Sequence, residues 1–272
     1  MKTLFLKIIV MLGLLLGLLC NVSDVAARSR HISVVSGSRQ TTVKGSNTLV
    51  TKTLKAPAFD AIAASRGVEV VIGITDEIVI TANDNVMEYV VVEAKNGTLT
   101  IGIDAAVNIR NMDVKVQVPN TGKIASITAS SGAEIRTRSA LKARTMKILL
   151  SSGASMDAAL KADACTIVLS SGTELQAAAD FGSCDIKLSS GSEAELSGKA
   201  ATFKASISSG AELEAFGLVA RTCNIGVSSG ASAEVTCTEQ LTVRASSGAS
   251  VEYKGDCSVE KQVSSGGSVR KR

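Results

Sequence analysis

Hydrophobic and polar residues alternate through the second half of the chain, and the alternation restarts after each copy of one tripeptide. Positions seven, five and three before its glycine are apolar in every copy except the last, where Lys261 interrupts the pattern. Such period-two alternation predicts strands that bury one face. The tripeptide Ser-Ser-Gly recurs at steps of 18 to 21 residues and ends at Gly132, Gly153, Gly172, Gly191, Gly210, Gly230, Gly248 and Gly266.

A second strand is predicted after each tripeptide, because positions one, three and five beyond the glycine are small or apolar, as in Ala211, Leu213 and Ala215. The lap lacks the Leu/Asn pattern and the helical segment of a leucine-rich repeat, so its length favours a parallel β-helix. At roughly 4.8 Å per lap, the corners would extend over roughly 34 Å. One inward column is predicted to contain Ile148, Ile167, Ile186, Ile207 and Ile225.

The corners themselves should be sharp turns at every level of the helix. Glycine permits positive φ there, and the serine hydroxyls are expected to hydrogen-bond nearby backbone groups. A hydroxyl-lined stripe that binds a ligand is the alternative interpretation of the stacked serines.

Residues 56–120 are also strand-like but lack this period, and Asn96-Gly97 predicts a hairpin. We expect this region to form wider first turns that close the N-terminal end. The predicted organisation is a signal peptide at 1–27, a polar segment at 28–55, an irregular β cap at 56–120 and regular β-helix repeats at 121–272.

The first 27 residues have the pattern of a secretory signal. Lys2 and Lys7 precede or interrupt an apolar run, residues 8–19 carry no charge, and Val25-Ala26-Ala27 offers a small-residue cleavage site. The run is short for a membrane span, and no transmembrane segment is expected after cleavage. An uncleaved N-terminal anchor is the alternative. The mature chain should therefore be exported to the periplasm, the outer-membrane surface or the extracellular space.

Composition narrows the function classes. The chain has no Trp, two Tyr and a formal net charge of +4, which gives little basis for binding nucleic acid. His31 is the one histidine, so Ser-His-Asp or Cys-His catalysis would have to use it. We predict no catalytic residues, no cofactor-binding residues, no cofactor and no metal site.

Five cysteines follow the predicted signal, and three of them occupy the same inward column. These cysteines are expected to serve as small apolar residues of the core. Cys165 and Cys184 would lie on adjacent laps but point in parallel, whereas Cys237 and Cys257 could pair in an oxidising compartment. Because five is odd, at least one thiol is free or intermolecular.

Carboxylates are the best-organised polar feature of the repeats. Two and four residues after the glycine, side chains should point outward, and acidic residues recur there. Four of them fall on successive laps roughly 5 Å apart, where they should repel one another unless solvent or cations screen them. A solvated acidic face is the favoured interpretation and calcium binding the alternative. The predicted interaction face consists of Glu193, Glu195, Glu212, Glu214, Glu234 and Glu252.

The order of these segments resembles a family of exported bacterial proteins described as auto-transporter adhesins with a head GIN domain. The resemblance rests on "APAFDAIAASRGVEVVIGITDEIVITAND", on "VVVEAKNGTLTIGI" and on the repeated "SSGAEL" corners, where the family usually has a Gly-Ser-Gly-Asp type corner. It covers about residues 56–270. The resemblance implies an all-β fold, a right-handed single-stranded parallel β-helix with an irregular N-terminal cap, and an exported location. The general crossover preference agrees with that handedness.

The function expected from these features is that of a non-catalytic exported binding module, adhesin-like, or a scaffold of the cell envelope. The alternative is a carbohydrate-active β-helix enzyme, which would need convergent acid/base groups in a groove. The partner is left open between an envelope or surface protein, a glycan and further copies of the chain.

Overall fold

The computed structural model describes residues 41–73 and 75–272, and the predicted signal peptide, Cys20 and His31 lie outside the described residues. One 3-10 turn, Met87–Tyr89, accompanies twenty strands. The strands are β1 Thr41–Lys44, β2 Leu49–Leu54, β3 Ala61–Ser65, β4 Glu69–Ile72, β5 Ile78–Asn83, β6 Val90–Lys95, β7 Thr98–Ile103, β8 Val107–Arg110, β9 Val114–Val118, β10 Ser126–Ser130, β11 Glu134–Thr137, β12 Leu141–Leu150, β13 Ser155–Leu169, β14 Glu174–Leu188, β15 Glu193–Ile207, β16 Glu212–Val227, β17 Ser232–Ala245, β18 Ser250–Lys254, β19 Ser258–Val263 and β20 Ser268–Lys271.

The long strands β13 to β17 stack in parallel, each one lap after the previous one. Ile167 pairs with Ile186, for example, and Glu193 pairs with Glu212. A step of one lap per ladder rung is what a parallel β-helix requires, so the predicted all-β solenoid with laps of about 19 residues is confirmed.

Each lap has two flat sides that meet at the Ser-Ser-Gly corner. We call the strand segment that ends at the corner side A, and the segment that begins after it side B. A strand such as β14 runs along side B, continues through a third stretch and ends on side A of the next lap. Its burial alternates on both sides of Gly182 and Ser183, two consecutive exposed residues, so one set of side chains fills the interior and the other faces solvent.

The corners turn through their backbone. In the lap at Gly210, both Ser209 and Gly210 have positive φ, at 55° and 67°, and the amide of Ala211 donates to the carbonyl of Ser208 at 3.2 Å. Two consecutive left-handed residues between those partners form a tight turn of the primed type. The amide of Gly210 then donates to Ser229 of the next lap at 3.1 Å, which links the stacked corners.

The predicted bonding of corner serine hydroxyls to the backbone is wrong. In the part of the chain that the structure describes, neither serine of any corner uses its hydroxyl in a hydrogen bond, because amides and carbonyls already close the turn. The exception in the neighbourhood is Ser192, one residue past a corner. Its buried hydroxyl accepts from the amide of Ser189 at 3.0 Å and donates to the carbonyl of Leu169 at 3.3 Å.

Interior side chains stack in columns, as the alternation predicted. Ile148, Ile167 and Ile186 follow one another in register and are fully buried. The next members of the column are Ala205 and Ile225. Placing Ile207 in this column is wrong, because its ladder partner is Leu188 and it belongs to the column two positions closer to the corner.

The N-terminal region completes the helix by a different route. Strand β3 pairs in parallel with β10 on one side and β7 on the other, and β4 likewise lies between β11 and β9. Residues 61–72 thus form a lap that stacks directly on the regular repeats. Its corner is at Gly67, and a long insertion separates it in sequence from the next corner, at Gly132. The insertion pairs with that lap through β7 and β9 and contains the antiparallel pairs β6 with β7 and β5 with β9, while β2, which precedes the lap, pairs antiparallel with β5.

The predicted hairpin at Asn96-Gly97 is confirmed. Both residues have positive φ, at 52° and 78°, and they connect the antiparallel strands β6 and β7. At the other end of the molecule, β19 is exposed along its whole length, as the polar Lys261 suggested. Among the described residues, no helix has the length and apolar character needed to cross a membrane.

Candidate functional site

Side B carries two parallel columns of outward carboxylates. In the first column Glu174, Glu193 and Glu212 are ladder partners in turn. In the second, Glu195 pairs with Glu214, Glu214 with Glu234, and Glu234 with Glu252. The predicted stacking of the last four residues is confirmed by this register. We call the central carboxylates the acidic face: Glu174, Glu193, Glu195, Glu212, Glu214 and Glu234.

The strands hold these carboxylates about 4.8 Å apart along each column, the spacing of the parallel ladder. No described Lys, Arg or His nitrogen lies within 4.0 Å of the six carboxylates. The one side-chain hydrogen bond to them comes from Gln176, whose amide donates to Glu195 at 3.0 Å. The acidic face is therefore negative charge without a counterion from the described chain.

Glu214 lies at the centre of this face. Its pKa is raised above the usual value, first by desolvation and then by the neighbouring carboxylates of Glu212, Glu193, Glu195 and Glu234. A raised carboxyl pKa means that the folded chain disfavours the ionised form, so the face stores repulsion at neutral pH.

The two ends of the columns are compensated. Towards the N-terminus, Lys115 lies 3.0 Å from Glu69, and Arg136 pairs with both Glu69 and Glu134. Glu134 thus opens the first column as one partner of an ion pair.

Glu252 occupies the C-terminal end of the second column and differs from its neighbours. Arg272 and Arg270 both pair with its carboxylate, whose side chain is only 14% exposed. The hydrogen bonds from Arg272 and then Arg270 lower the pKa of Glu252. The prediction that Glu252 repels its neighbours is therefore wrong, because it is neutralised by Arg270 in the last strand and by Arg272 just after that strand.

The other surfaces carry mixed or opposite charge. Side A presents Lys147, Lys187, Lys204 and Arg244 outward, and Lys204 lies 3.5 Å from Asp185. On the third stretch, Asp180 lies 2.7 Å from Lys161 and 3.7 Å from Lys199. The central laps of side B are thus distinguished by charge of one sign, whereas Arg136 and Arg270 lie on side B towards its two ends.

The geometry of the acidic face suits a surface contact better than coordination of one ion. Its carboxylates project side by side from flat strands, and within residues 41–73 and 75–272 no three His, Cys, Asp or Glu side chains converge around a point. Calcium prefers six to eight oxygens around one centre.

A shallow cleft of about 390 Å³ lies elsewhere, near the first corner. Arg66, Asn108 and Ser131 contribute its polar lining, and Ile103, Val107, Ile109 and Met112 the rest. The guanidinium of Arg66 donates to the carbonyl of Val107 at 3.2 Å. Its lining residues include no carboxylate, so an acid/base pair of the kind that hydrolyses or eliminates at sugars is not built there.

Fold and surface together define a class: a parallel β-solenoid whose central laps present carboxylates, and so charge of one sign, on a flat side formed by strands. A family described as "Putative auto-transporter adhesin, head GIN domain" matches residues 58–257. This match covers most of the chain, and the chain belongs to that family. A search among curated proteins found no match.

Solved structures with the same fold come from related bacteria. A "putative adhesin" from Parabacteroides merdae ATCC 43184 is 21% identical, with a TM-score of 0.78, covering 85% of this chain and 99% of that chain. A "putative adhesin" from Parabacteroides distasonis ATCC 8503 is 19% identical, with a TM-score of 0.78 and coverage of 85% and 100%. A "putative lipid binding protein" from the same strain is 18% identical, with a TM-score of 0.76 and coverage of 85% and 99%. At these identities the likeness concerns the fold.

Proposed function

We propose that this chain is an exported, non-catalytic, adhesin-like binding protein that docks a cationic partner surface on its acidic face. The observation that carries the proposal is the set of six in-register carboxylates without a counterion at the centre of side B. Clustered Lys or Arg side chains on an envelope or surface protein would supply the missing charge.

The solenoid favours this use because its strands fix the carboxylates before any partner arrives. Glu195, Glu214 and Glu234 lie on consecutive rungs of one ladder, so their backbone pays no ordering cost on binding. A cationic partner would also offset the repulsion from the neighbouring carboxylates, which raises the pKa of Glu214 after desolvation does. A cationic partner would therefore be attracted to the acidic face and would reduce the repulsion among its carboxylates.

Family membership supports the exported and adhesive parts of the proposal. The family description names an adhesin, and two of the solved relatives are described in the same way. No specific observation favours the carbohydrate-active enzyme. The cleft near Arg66 lacks a carboxylate pair, and the two carboxylates that line an open depression of about 300 Å³ on side B, Asp157 and Glu195, are separated by Gln176, whose amide donates to Glu195.

A binding assay with two matched variants tests the proposed face. One variant replaces Glu193, Glu195, Glu212 and Glu214 by Gln, and the control replaces Lys147, Lys187, Lys204 and Arg244 on side A by Gln. Labelled protein is added to envelope fractions and intact cells of its native host. We expect wild type and the side A variant to bind, the side B variant to bind weakly, and wild-type binding to fall as salt is raised.

Three results are informative. Unchanged binding by the side B variant would refute the acidic face as the docking surface. Loss of binding in both variants, together with loss of self-association in sedimentation, would show instead that acidic and basic sides of two copies pair with each other. Native protein that is found in the cytosol with residues 1–27 intact would contradict the exported location; we expect a mature chain that begins at Arg28.

A further inference from the structure

Five free cysteines lie in the described part of the chain, and they form two groups. Cys165 and Cys184 are ladder partners on adjacent laps and are both buried. The other group is a trio, Cys223, Cys237 and Cys257, in which Cys237 lies close enough to raise the pKa of the other two thiols, after burial, while its own thiol donates to the carbonyls of Gln240 at 3.1 Å and Arg221 at 3.3 Å. Two groups of neighbouring thiols inside one solenoid raise the question of which pair can be oxidised.

Cys237 and Cys257 lie on adjacent laps near the C-terminal end of the solenoid, offset by two residues along the ladder. The ladder pairs Thr236 with Lys254 and Gln240 with Ser258, so the two cysteines lie in segments held side by side. This register places Cys237 opposite Gly255 and Cys257 opposite Glu239, so the two cysteines are diagonal neighbours across a strand spacing of about 4.8 Å.

The two segments approach closely at this point. The hydroxyl of Ser258 donates to the carbonyl of Glu239 at 3.1 Å. Gly255 lies so near the backbone of Cys237 that an added Cβ would come within 2.0 Å of its carbonyl oxygen. The two segments are therefore in backbone contact beside Cys237, and a bond to Cys257 has only the two-residue offset along the ladder to close.

Access separates this pair from the other thiols. Cys257 is half-buried, whereas Cys165, Cys184, Cys223 and Cys237 are at most 4% exposed. Among the described cysteines, Cys257 is thus the thiol that an oxidant in solution reaches. Burial, and then Cys237, raise the pKa of the Cys257 thiol, so its reaction is slow at neutral pH.

We propose that Cys237 and Cys257 form a disulfide that fastens the last lap of the solenoid to the lap before it. The oxidant is a small or protein disulfide, RSSR. The Cys257 thiolate attacks one of its sulfurs, which forms a mixed disulfide and releases one RSH. The Cys237 thiolate then attacks the Cys257 sulfur and releases the second RSH, so that two protein thiols are oxidised while RSSR is reduced.

The position of this bond gives it a structural effect. Strand β19 pairs with β17 and β20 pairs with β18, and in the described chain no lap follows them. A solenoid lap held from one side opens more readily than a central one. The disulfide would oppose that opening. The pairing is a property of the folded chain and does not rest on the proposed function, although export to an oxidising compartment would favour it.

The test uses reduced wild-type protein incubated for many hours with oxidised glutathione, then alkylated, digested and mapped by mass spectrometry. We expect one disulfide, between Cys237 and Cys257, with Cys165, Cys184 and Cys223 alkylated only after denaturation. Tm should be higher in the oxidised protein and return to the starting value with a reductant. A disulfide that maps to Cys223 and Cys237, or a stable glutathione adduct on Cys257 without an internal bond, would overturn the proposal.

Two variants separate the roles within the trio. Cys237→Ala removes the resolving thiol, so glutathione should remain attached to Cys257. Cys223→Ala is the matched control, since it also removes a buried thiol next to Cys237 but should leave the disulfide and the rise in Tm intact. Loss of disulfide formation in folded Cys223→Ala protein would contradict the assignment.

Discussion

The central laps and the two ends of this solenoid use the same strands but balance their charge and their packing differently. In β14 to β17, each lap lies between two others, and none of the side B glutamates of these strands is within 4.0 Å of a described Lys or Arg nitrogen. At the ends, Lys115 and Arg136 neutralise Glu69 and Glu134, while Arg270 and Arg272 neutralise Glu252. Because β4, β11 and β18, which carry the compensated carboxylates, are also paired on both sides, the difference comes from the basic residues that the irregular end laps supply and not from a missing strand partner.

The largest expected contrast concerns the core. Ile186 is fully buried in a central lap, and Ile186→Ala should destabilise the fold by about 2–5 kcal/mol. Val259 is an inward-type position of the last lap but is 37% exposed, so Val259→Ala should cost under about 1 kcal/mol. Denaturant unfolding followed by circular dichroism measures both.

Lys187→Ala is the control for the inward and outward assignment within one strand. Its outward side chain should contribute under about 0.5 kcal/mol. Similar losses of stability from Ile186→Ala and Lys187→Ala would contradict the alternation, and a loss from Val259→Ala as large as that from Ile186→Ala would remove the distinction between centre and end.

A smaller contrast concerns the corners. Gly191 and Gly266 both have positive φ, at 67° and 74°, and an alanine there is strained by about 1–2 kcal/mol. Gly191→Ala should show this cost in global unfolding. Gly266→Ala should show less of it, because the last lap can open locally and release the strain. Hydrogen exchange should report faster opening of residues 258–271 in Gly266→Ala; equal global costs and no local change would count against fraying at this end.

The change in stability on removing one carboxylate should have opposite signs at two positions of the same column. Glu214→Gln should leave stability unchanged or raise it by about 0.5 kcal/mol or less at neutral pH and low salt, because it removes repulsion at an exposed site. Glu252→Gln should lower stability, since it leaves two arginines without their partner. Thermal melts of both variants test this pair, and effects of the same sign would contradict the account.

The contributions of Glu214 and Glu252 to the stability of the wild-type protein depend on pH in ways that follow from their pKa shifts. The raised pKa of Glu214 lets the folded state hold its proton more tightly, so its penalty is present at neutral pH and disappears as pH falls below the unfolded value. The lowered pKa of Glu252 gives stability that is present above the unfolded value and lost as pH falls through the folded one. The gain from Glu214→Gln should also shrink at 1 M salt, where the screening length is about 3 Å.

Calcium should have the smallest effect. Because the carboxylates of side B do not converge, calcium should raise the Tm of wild type no more than it raises that of Glu214→Gln. Melts with calcium and with chelator provide the comparison. A rise of several degrees in wild type that is absent in Glu214→Gln would show that the column is a cation site.

Much of this architecture could be predicted from the sequence because each lap repeats a local pattern. The alternation around Ile186 and the step from Glu195 to Glu214 give strand, side and register without any long-range information. The sequence pattern did not predict the lap at residues 61–72, because its corner is Arg66-Gly67 and an insertion of strands separates it from Gly132. Its ladder partners are set by tertiary folding, which no period in the sequence records.

The charge balance was predicted less well than the register. The pairing of Glu252 depends on Arg270 and Arg272, which follow the last corner and lie beyond any repeat. The turn at Ser209-Gly210 likewise uses two left-handed residues, although serine rarely adopts that conformation. The sequence pattern predicts which side of a strand faces solvent. It does not predict the ion pairs made by residues beyond the repeats or the backbone conformation of the corners, which the folded structure shows.

The most direct test of the account is a titration of the side-chain carboxyls by NMR in the wild-type protein at low salt. The central claim is that the acidic face is uncompensated in the middle of the solenoid and neutralised at its C-terminal end. We expect the pKa of Glu214 to lie above the usual glutamate value and that of Glu252 to lie below it, with both moving towards the usual value as salt is added. A Glu214 pKa at or below that of Glu252 would contradict the claim.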